Sequence, residues 1–172
     1  MSIRGPWVIP QRKKSLIVGV ADMIASNDST AELVTYSLGS CLGIMVYDPV
    51  AKVGGLLHAM LPDSTIDSHK AQTRPFMFID TGAPHLFRTI YGLGAIKDRL
   101  LIRVAGGAEF LDTDGFFNIG ARNIKTLQSL LQRNGYHVDA AAVGGRCSRT
   151  VRLDVSSGKC TIQSPGENPQ TL

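Results

Sequence analysis

Short apolar segments, separated by glycine, proline or aspartate, recur along most of this sequence. They are rich in β-branched and aromatic residues, and such a segment bounded by turn residues is typical of a strand. The pattern predicts strands over residues 16–20, 32–37, 39–47, 54–61, 99–105 and 137–143. Alternating residues at 151–155, a Ser-Ser-Gly turn and a further segment at 160–162 predict a final hairpin.

Two longer segments space their apolar residues by three and four positions, as an amphipathic helix does. The first covers residues 78–91 and stops at Gly92. The second lies between Asn118, a candidate N-cap, and Asn134-Gly135, a pair typical of a helix C-terminus. Since strands and helices do not alternate strictly, we predict an α+β fold in which one mixed or antiparallel sheet carries two main helices.

The two ends of the chain differ from its centre. Residues 1–14 contain two prolines, a glycine and four basic side chains, and residues 164–172 are mostly polar. We therefore expect a flexible N-terminal arm over 1–14, one domain over 15–163 and a disordered tail over 164–172. A chain of 172 residues can bury a sizeable core without disulfide or metal staples.

The charge balance is mildly positive, with 18 Lys and Arg, 14 Asp and Glu, and a net charge of +4. Apart from Arg12-Lys13-Lys14, the basic residues are spread along the chain, so no nucleic-acid partner is expected. The apolar segment that follows these three residues is too short to span a bilayer, and no small-residue cleavage site follows it. We expect a cytoplasmic protein that does not insert into the membrane.

The three cysteines, Cys41, Cys147 and Cys160, form no CxxC or similar pair. This spacing argues against a disulfide framework and against a zinc site, and the other candidate ligands, the histidines, are scattered. Neither a metal nor another cofactor is expected. A reducing compartment, where a lone thiol can serve as a nucleophile, suits such a composition.

Cys41 lies among small residues between two predicted strands, in the sequence Leu-Gly-Ser-Cys. Small residues let a substrate approach the backbone, and they let the N–H groups of Gly39, Ser40 and Cys41 point at one spot. Acyl transfer needs such donors because negative charge develops on the carbonyl oxygen. The alternative is a buried cysteine beside a tight turn, which is how free cysteines are usually found.

His58 lies in an apolar segment, where a histidine needs a hydrogen-bond partner or a functional role. Considered without Cys41, His58 is explained as a core histidine with a satisfied hydrogen bond. On a strand next to Cys41, however, it could remove the thiol proton and stabilise the thiolate. Thr35 could orient the imidazole, and strand alternation predicts that Thr35 and Ser37 face the same side. An ordinary strand threonine is the alternative for Thr35.

Several short motifs also follow one another in a distinctive order. These are Thr35-x5-Cys41 within LGSC, Tyr47-Asp48-Pro49, Gly54-Gly55-x-x-His58-x-x-Leu61-Pro62, Gly106-Gly107-Ala108, Ile119-Gly120-x-Arg122-Asn123, and Gly144-Gly145 with Arg149. In this order and spacing, from about residue 16 to residue 162, the chain resembles the CheD family, the chemoreceptor glutamine deamidases of bacterial and archaeal chemotaxis.

The resemblance implies a catalytic triad of Cys41, His58 and Thr35 in a single-domain α/β sandwich similar to toxin-type deamidases. It also implies glutamine side chains on the cytoplasmic helices of methyl-accepting chemotaxis proteins as substrates. Hydrolysis of glutamyl methyl esters and binding of a CheC-type phosphatase are further implications. The chain departs from the family at Ala142, where an acidic residue is frequent, and at Glu109-Phe110, where Met-Phe-like residues are favoured.

Two other functions remain open from the residues. One is a cysteine peptidase or transglutaminase-like acyltransferase, against which the chain length and the resemblance argue. The other is a non-catalytic binding module that regulates a CheC-type phosphatase or receptors. Phe116 and Phe117 are candidates for a partner contact in such a module, or for a hydrophobic staple of the helix that begins after Asn118.

Overall fold

Strands dominate the computed structural model of the chain, which describes residues 13–109 and 118–172. Within these residues there are ten strands and three α-helices. In chain order they are β1 (Lys14–Ile17), β2 (Asp22–Ser26), β3 (Ala31–Leu38), β4 (Leu42–Asp48), β5 (Val53–Ala59), α1 (Ser68–Thr73), α2 (Ile79–Gly92), β6 (Leu101–Gly106), α3 (Ile119–Arg133), β7 (Ala140–Val143), β8 (Arg149–Asp154), β9 (Cys160–Gln163) and β10 (Gln170–Thr171).

The strands form two five-stranded sheets. Sheet A has the order β1-β3-β8-β9-β10, and sheet B has the order β2-β5-β4-β6-β7. Each sheet contains one parallel pair, β1 with β3 and β6 with β7, so both are mixed. The predicted α+β class with a mixed sheet and two main helices is confirmed, although the sequence did not indicate that the strands divide between two sheets. Apolar periodicity identifies strands without indicating which of them pair.

Two apolar layers hold these elements together. One lies between the sheets and contains Leu33 and Leu38 of sheet A with Met45 and Leu56 of sheet B. The other lies between sheet B and the helices α2 and α3. The central strands β4 and β5 are therefore covered on both faces, and all of their residues are buried. Continuous apolar runs, rather than alternation, are the sequence signature of strands buried in this way.

Three elements of the structure, β2, α1 and β10, were not predicted. Strand β2 was not predicted, because its sequence does not alternate and each of its residues is only partly buried. Helix α1 was not predicted either. Within the predicted tail, β10 pairs with β9, and the division into arm, domain and tail stays a prediction. No helix in the described residues is long and apolar enough to cross a membrane.

Candidate active site

A β-bulge in β3 lies just before the turn that contains the predicted nucleophile, Cys41. Thr35 pairs with Val151 and Leu38 pairs with Arg149, so two residues of β3 lie opposite one residue of β8. Ser37, the second of the two, has a positive φ of 56° and an exposed side chain, whereas Thr35 is fully buried. The prediction that these two side chains face one side is therefore wrong, because the bulge reverses the alternation.

The turn that follows the bulge, residues 39–41, is held through its carbonyl groups. Ala108 N–H donates to the Gly39 carbonyl and Gly107 N–H to the Cys41 carbonyl, each over 2.8 Å. The approach of β6 is so close that a Cβ on Gly106 would collide with the Cys41 carbonyl oxygen. No backbone acceptor in the described part of the chain binds the three N–H groups of this turn, which leaves them able to donate to a substrate oxygen.

His58 lies on β5 and faces sheet A, as Leu56 does. In the antiparallel ladder it is opposite Gly43, and Cys41 lies two positions before Gly43 on the same side. The ladder ends at the pair Leu42–Ala59, one residue short of Cys41, and no hydrogen bond joins the Cys41 thiol to His58 Nε2. Gly43 contributes no side chain between them. The thiol is partly accessible, whereas the imidazole is only 1% exposed.

Thr35 meets His58 across the gap between the two sheets. The Thr35 Oγ1 atom lies 2.7 Å from His58 Nδ1 and 2.7 Å from the carbonyl oxygen of Val18. A hydroxyl has one proton, and a carbonyl can only accept, so Thr35 donates to Val18 and accepts from His58. Nδ1 therefore carries the imidazole proton and Nε2 carries the lone pair. Nε2 is buried and has no hydrogen-bond partner among the described residues.

Burial shifts both titratable groups toward their neutral forms. It raises the pKa of the Cys41 thiol, an effect that the N–H of Cys41 itself partly opposes. Burial also lowers the pKa of His58. The free protein therefore has a neutral imidazole that can accept a proton and a neutral thiol that needs a base to ionise.

Asn123 lies on the buried face of α3 beside the candidate site, and the sequence analysis named it only as part of a motif. Its Nδ2 group donates to the carbonyl oxygens of Ser40 and Met60, over 2.9 Å each. The available signal was a polar residue on the apolar face of a helix, since the other buried residues of α3 are Gly120, Leu127 and Leu131.

The remaining candidates lie elsewhere or outside the described residues. Cys160 is buried in β9, and Cys147 lies 3.8 Å from the Ser164 hydroxyl. Phe116 and Phe117 lie outside the described residues. Within residues 13–109 and 118–172, no group of three His, Cys, Asp or Glu side chains could hold a metal ion.

Comparison with known proteins gives two kinds of match in sequence. A family model described as CheD chemotactic sensory transduction matches residues 60–164. A probable chemoreceptor glutamine deamidase CheD 1 of Syntrophus aciditrophicus (strain SB) is 47% identical over 151 residues, covering 88% of this chain and 94% of the relative. Only 21 residues of this chain lie outside that span, so it includes Thr35, Cys41 and His58.

A second relative and one solved structure complete the comparison. The probable chemoreceptor glutamine deamidase CheD of Solibacter usitatus (strain Ellin6076) is 45% identical over 159 residues, covering 92% of this chain and 94% of the relative. The crystal structure of Neisseria meningitidis protein NMB0706 matches 77% of this chain and 63% of its own, with 10% identity and a TM-score of 0.43. A likeness at that TM-score assigns neither fold nor function.

Proposed function

This chain belongs to the CheD family of chemotactic sensory transduction proteins, and from that membership we propose that it deamidates chemoreceptor glutamines. The reaction converts a glutamine side chain and water into glutamate and ammonia. Relatives that are 47% and 45% identical over most of the chain carry the name chemoreceptor glutamine deamidase, which supports this substrate class. We further propose that Cys41 is the nucleophile, His58 the general base and acid, and Thr35 the residue that orients His58.

The contact between Thr35 and His58 carries the proposal for the triad. A hydroxyl that accepts from Nδ1 fixes the ring with its basic Nε2 atom free, which is the tautomer a general base requires. A core histidine without a catalytic role would be expected to have both ring nitrogens satisfied. Nε2 is buried without a partner among the described residues, on the strand that pairs with the one following Cys41, and this favours the catalytic interpretation.

The proposed first half-reaction forms a thioester. His58 Nε2 removes the thiol proton while Cys41 Sγ attacks the Cδ atom of the substrate glutamine. The amide oxygen becomes negatively charged and accepts hydrogen bonds from N–H groups of the turn that contains Gly39, Ser40 and Cys41. The C–N bond then breaks, and the imidazolium gives its proton to the leaving nitrogen, which departs as ammonia.

The second half-reaction hydrolyses the thioester. His58, neutral again, removes a proton from water, and the resulting hydroxide attacks the same carbon. The C–S bond breaks, the thiol regains its proton, and glutamate is released. A glutamyl methyl ester would follow the same two steps with methanol as the leaving group, so the same site can serve as a methylesterase. No cofactor takes part in either step.

The experiment is to incubate the protein with a chemoreceptor cytoplasmic fragment and to map glutamine-to-glutamate conversion by peptide mass spectrometry. We expect conversion at defined glutamines, none with Cys41→Ala or His58→Gln, and about 100-fold slower conversion with Thr35→Val. Cys147→Ala is the matched control, since it removes another partly exposed thiol and should leave conversion unchanged.

A different result would favour the binding-module alternative. If the wild-type protein converts no glutamine in any receptor of its own cell, but binds those receptors equally well with and without Cys41→Ala, the enzyme proposal is wrong. Binding of a CheC-type phosphatase is a separate prediction, which the same proteins can test by co-sedimentation.

A further inference from the structure

The side chain of Asn123 joins the two segments that carry Cys41 and His58. It is fully buried, and its single Nδ2 group donates to the carbonyl of Ser40, next to Cys41, and to the carbonyl of Met60, two residues after His58. The ladder between β4 and β5 ends at the pair Leu42–Ala59. The amide therefore bridges the two strands at the point where backbone pairing stops.

Helix α3 also supports the rest of the turn. At Gly120, one helical turn before Asn123, a Cβ would overlap the Gly107 carbonyl, so the start of α3 is seated directly on that segment. Gly107 and Ala108 in turn donate to the carbonyls of Cys41 and Gly39. All three carbonyls of the turn thus accept hydrogen bonds. One comes from Asn123 of α3, and two come from the backbone of Gly107 and Ala108. Unlike these backbone donors, Asn123 also donates to the carbonyl of Met60, which directly follows β5, the strand that carries His58.

We propose that Asn123 is a positioning residue that fixes the turn of residues 39–41, which contains Cys41, relative to β5, which carries His58. By holding Ser40 and Met60 together, it sets the approach of the Cys41 thiol to His58 and the direction of the N–H groups of the turn. The proposal rests on the proposed deamidase function. It assigns Asn123 no contact with substrate or with the reacting atoms.

The chemistry of the side chain suits this role and excludes near equivalents. A primary amide has two N–H donors, which match the two carbonyl oxygens. Aspartate has the same shape, but at neutral pH it would bring a carboxylate against both carbonyls. Leucine would fill a similar volume without donating. The Asn123 Oδ1 atom has no partner among the described residues, so in that part of the chain only the two carbonyls orient the amide.

The test compares Asn123→Asp with Leu127→Ala, a cavity-forming change one turn along the same buried face of α3. We expect Asn123→Asp to lower kcat for receptor deamidation about 100-fold, as a small misplacement of catalytic groups does, with KM within about twofold of wild type. Leu127→Ala should lower the melting temperature at least as much and leave kcat unchanged. Equal losses of kcat in the two variants, or a kcat within about threefold of wild type for Asn123→Asp, would overturn the proposal.

A second readout separates this proposal from the deamidase function itself. The rate of Cys41 alkylation by iodoacetamide, followed by peptide mass spectrometry across pH, reports how readily His58 takes the thiol proton as the thiol attacks. We expect the profile of Asn123→Asp to move toward that of His58→Gln. An unchanged profile would contradict the positioning role even if no receptor is deamidated. Asn123→Ser, which is too short to reach both carbonyls, is the second variant should Asn123→Asp not fold.

Discussion

At the scale of single residues, the protonation states of the proposed catalytic pair are set by burial. The Nδ1 partner of His58 is a hydroxyl and not a carboxylate, and burial lowers the pKa of the imidazole from its ordinary 6.5. Burial raises the pKa of the Cys41 thiol. Both shifts favour a neutral thiol and a neutral imidazole, so the proton moves only when the thiol attacks. A preformed thiolate–imidazolium pair would require the opposite shifts.

The pH dependence of deamidation should reveal this arrangement. Because the base must be neutral, we expect kcat/KM to fall on an acidic limb whose midpoint lies below 6.5. The measurement is the pH–rate profile with a receptor fragment. An acidic limb above 6.5, together with rapid alkylation of Cys41 in acid, would indicate a preformed ion pair and contradict this expectation.

The free energy of unfolding should also fall as the pH falls, because His58 becomes protonated. The folded pKa of His58 lies below the unfolded value, so the unfolded chain binds more protons as the pH falls through 6.5. The stability that neutral His58 contributes is therefore complete above pH 6.5 and is lost as the pH falls toward the folded pKa. Denaturant titrations should show this loss in the wild-type protein and not in His58→Gln.

At the scale of elements, one buried carboxylate joins three neighbouring strands of sheet B. Asp48 ends β4, and its Oδ1 atom accepts from the N–H groups of Val50 and Ala51 in the turn to β5. Its Oδ2 atom accepts from Ile96 N–H and from the Arg99 guanidinium, both just before β6. Burial alone would raise the pKa of Asp48, but Arg99 and these N–H donors outweigh it and lower the pKa to about 2.

Replacing this carboxylate should destabilise the fold without altering the chemistry. We expect Asp48→Asn to lower the free energy of unfolding by about 2 kcal/mol at pH 7, because Arg99 loses its charged partner. The wild-type protein should lose the same stability as the pH falls from 3.8 to below 2, where Asp48 becomes protonated. Urea denaturation across pH measures both. The exposed Asp28→Asn is the control, and an equal effect there would contradict the prediction.

Sequence patterns predicted most of these strands and helices, but not the hydrogen bonds that their residues make with distant segments. Strands β4 and β5 were predicted because their apolar runs stop at turn residues. Asp48 was recognised only as part of a turn, since nothing in its neighbourhood indicates that Arg99, 51 residues later, would bind it. Asn123 was likewise found by its motif and not by its function. Hydrogen bonds between distant segments leave no local pattern in a sequence.

At the scale of the whole molecule, the candidate site exists only because two sheets pack against each other. Thr35 comes from sheet A, and Cys41 and His58 are associated with sheet B. Sequence reasoning selected these three residues by their types and by the family resemblance, yet it did not indicate how the strands divide between two sheets. Spacing along the chain cannot indicate which strands face each other across a sandwich. The separation of the sheets should therefore control how well Thr35 holds His58.

A methyl group placed between the sheets next to the site tests this dependence. Gly43 lies opposite His58, and a Cβ there would be 2.7 Å from Leu38 Cδ1 of sheet A. We expect Gly43→Ala to cost about 1–3 kcal/mol of stability through overpacking, and to lower kcat at least tenfold because the added methyl group lies opposite His58 and displaces the Leu38 side chain. Thermal denaturation and receptor deamidation measure the two effects.

Gly54→Ala is the matched control, because Gly54 also faces sheet A but lies four residues before His58 on β5. A Cβ at Gly54 would be 3.1 Å from Leu153 Cδ2, so this change should also strain the packing between the sheets. Because Gly54 lies away from Thr35 and His58, we expect Gly54→Ala to lose stability with little loss of kcat. If both variants lose kcat in proportion to their stability, general loosening of the sandwich explains the effect. A loss of kcat confined to Gly43→Ala would mean that packing beside Cys41 and His58, and not general loosening of the sandwich, limits catalysis.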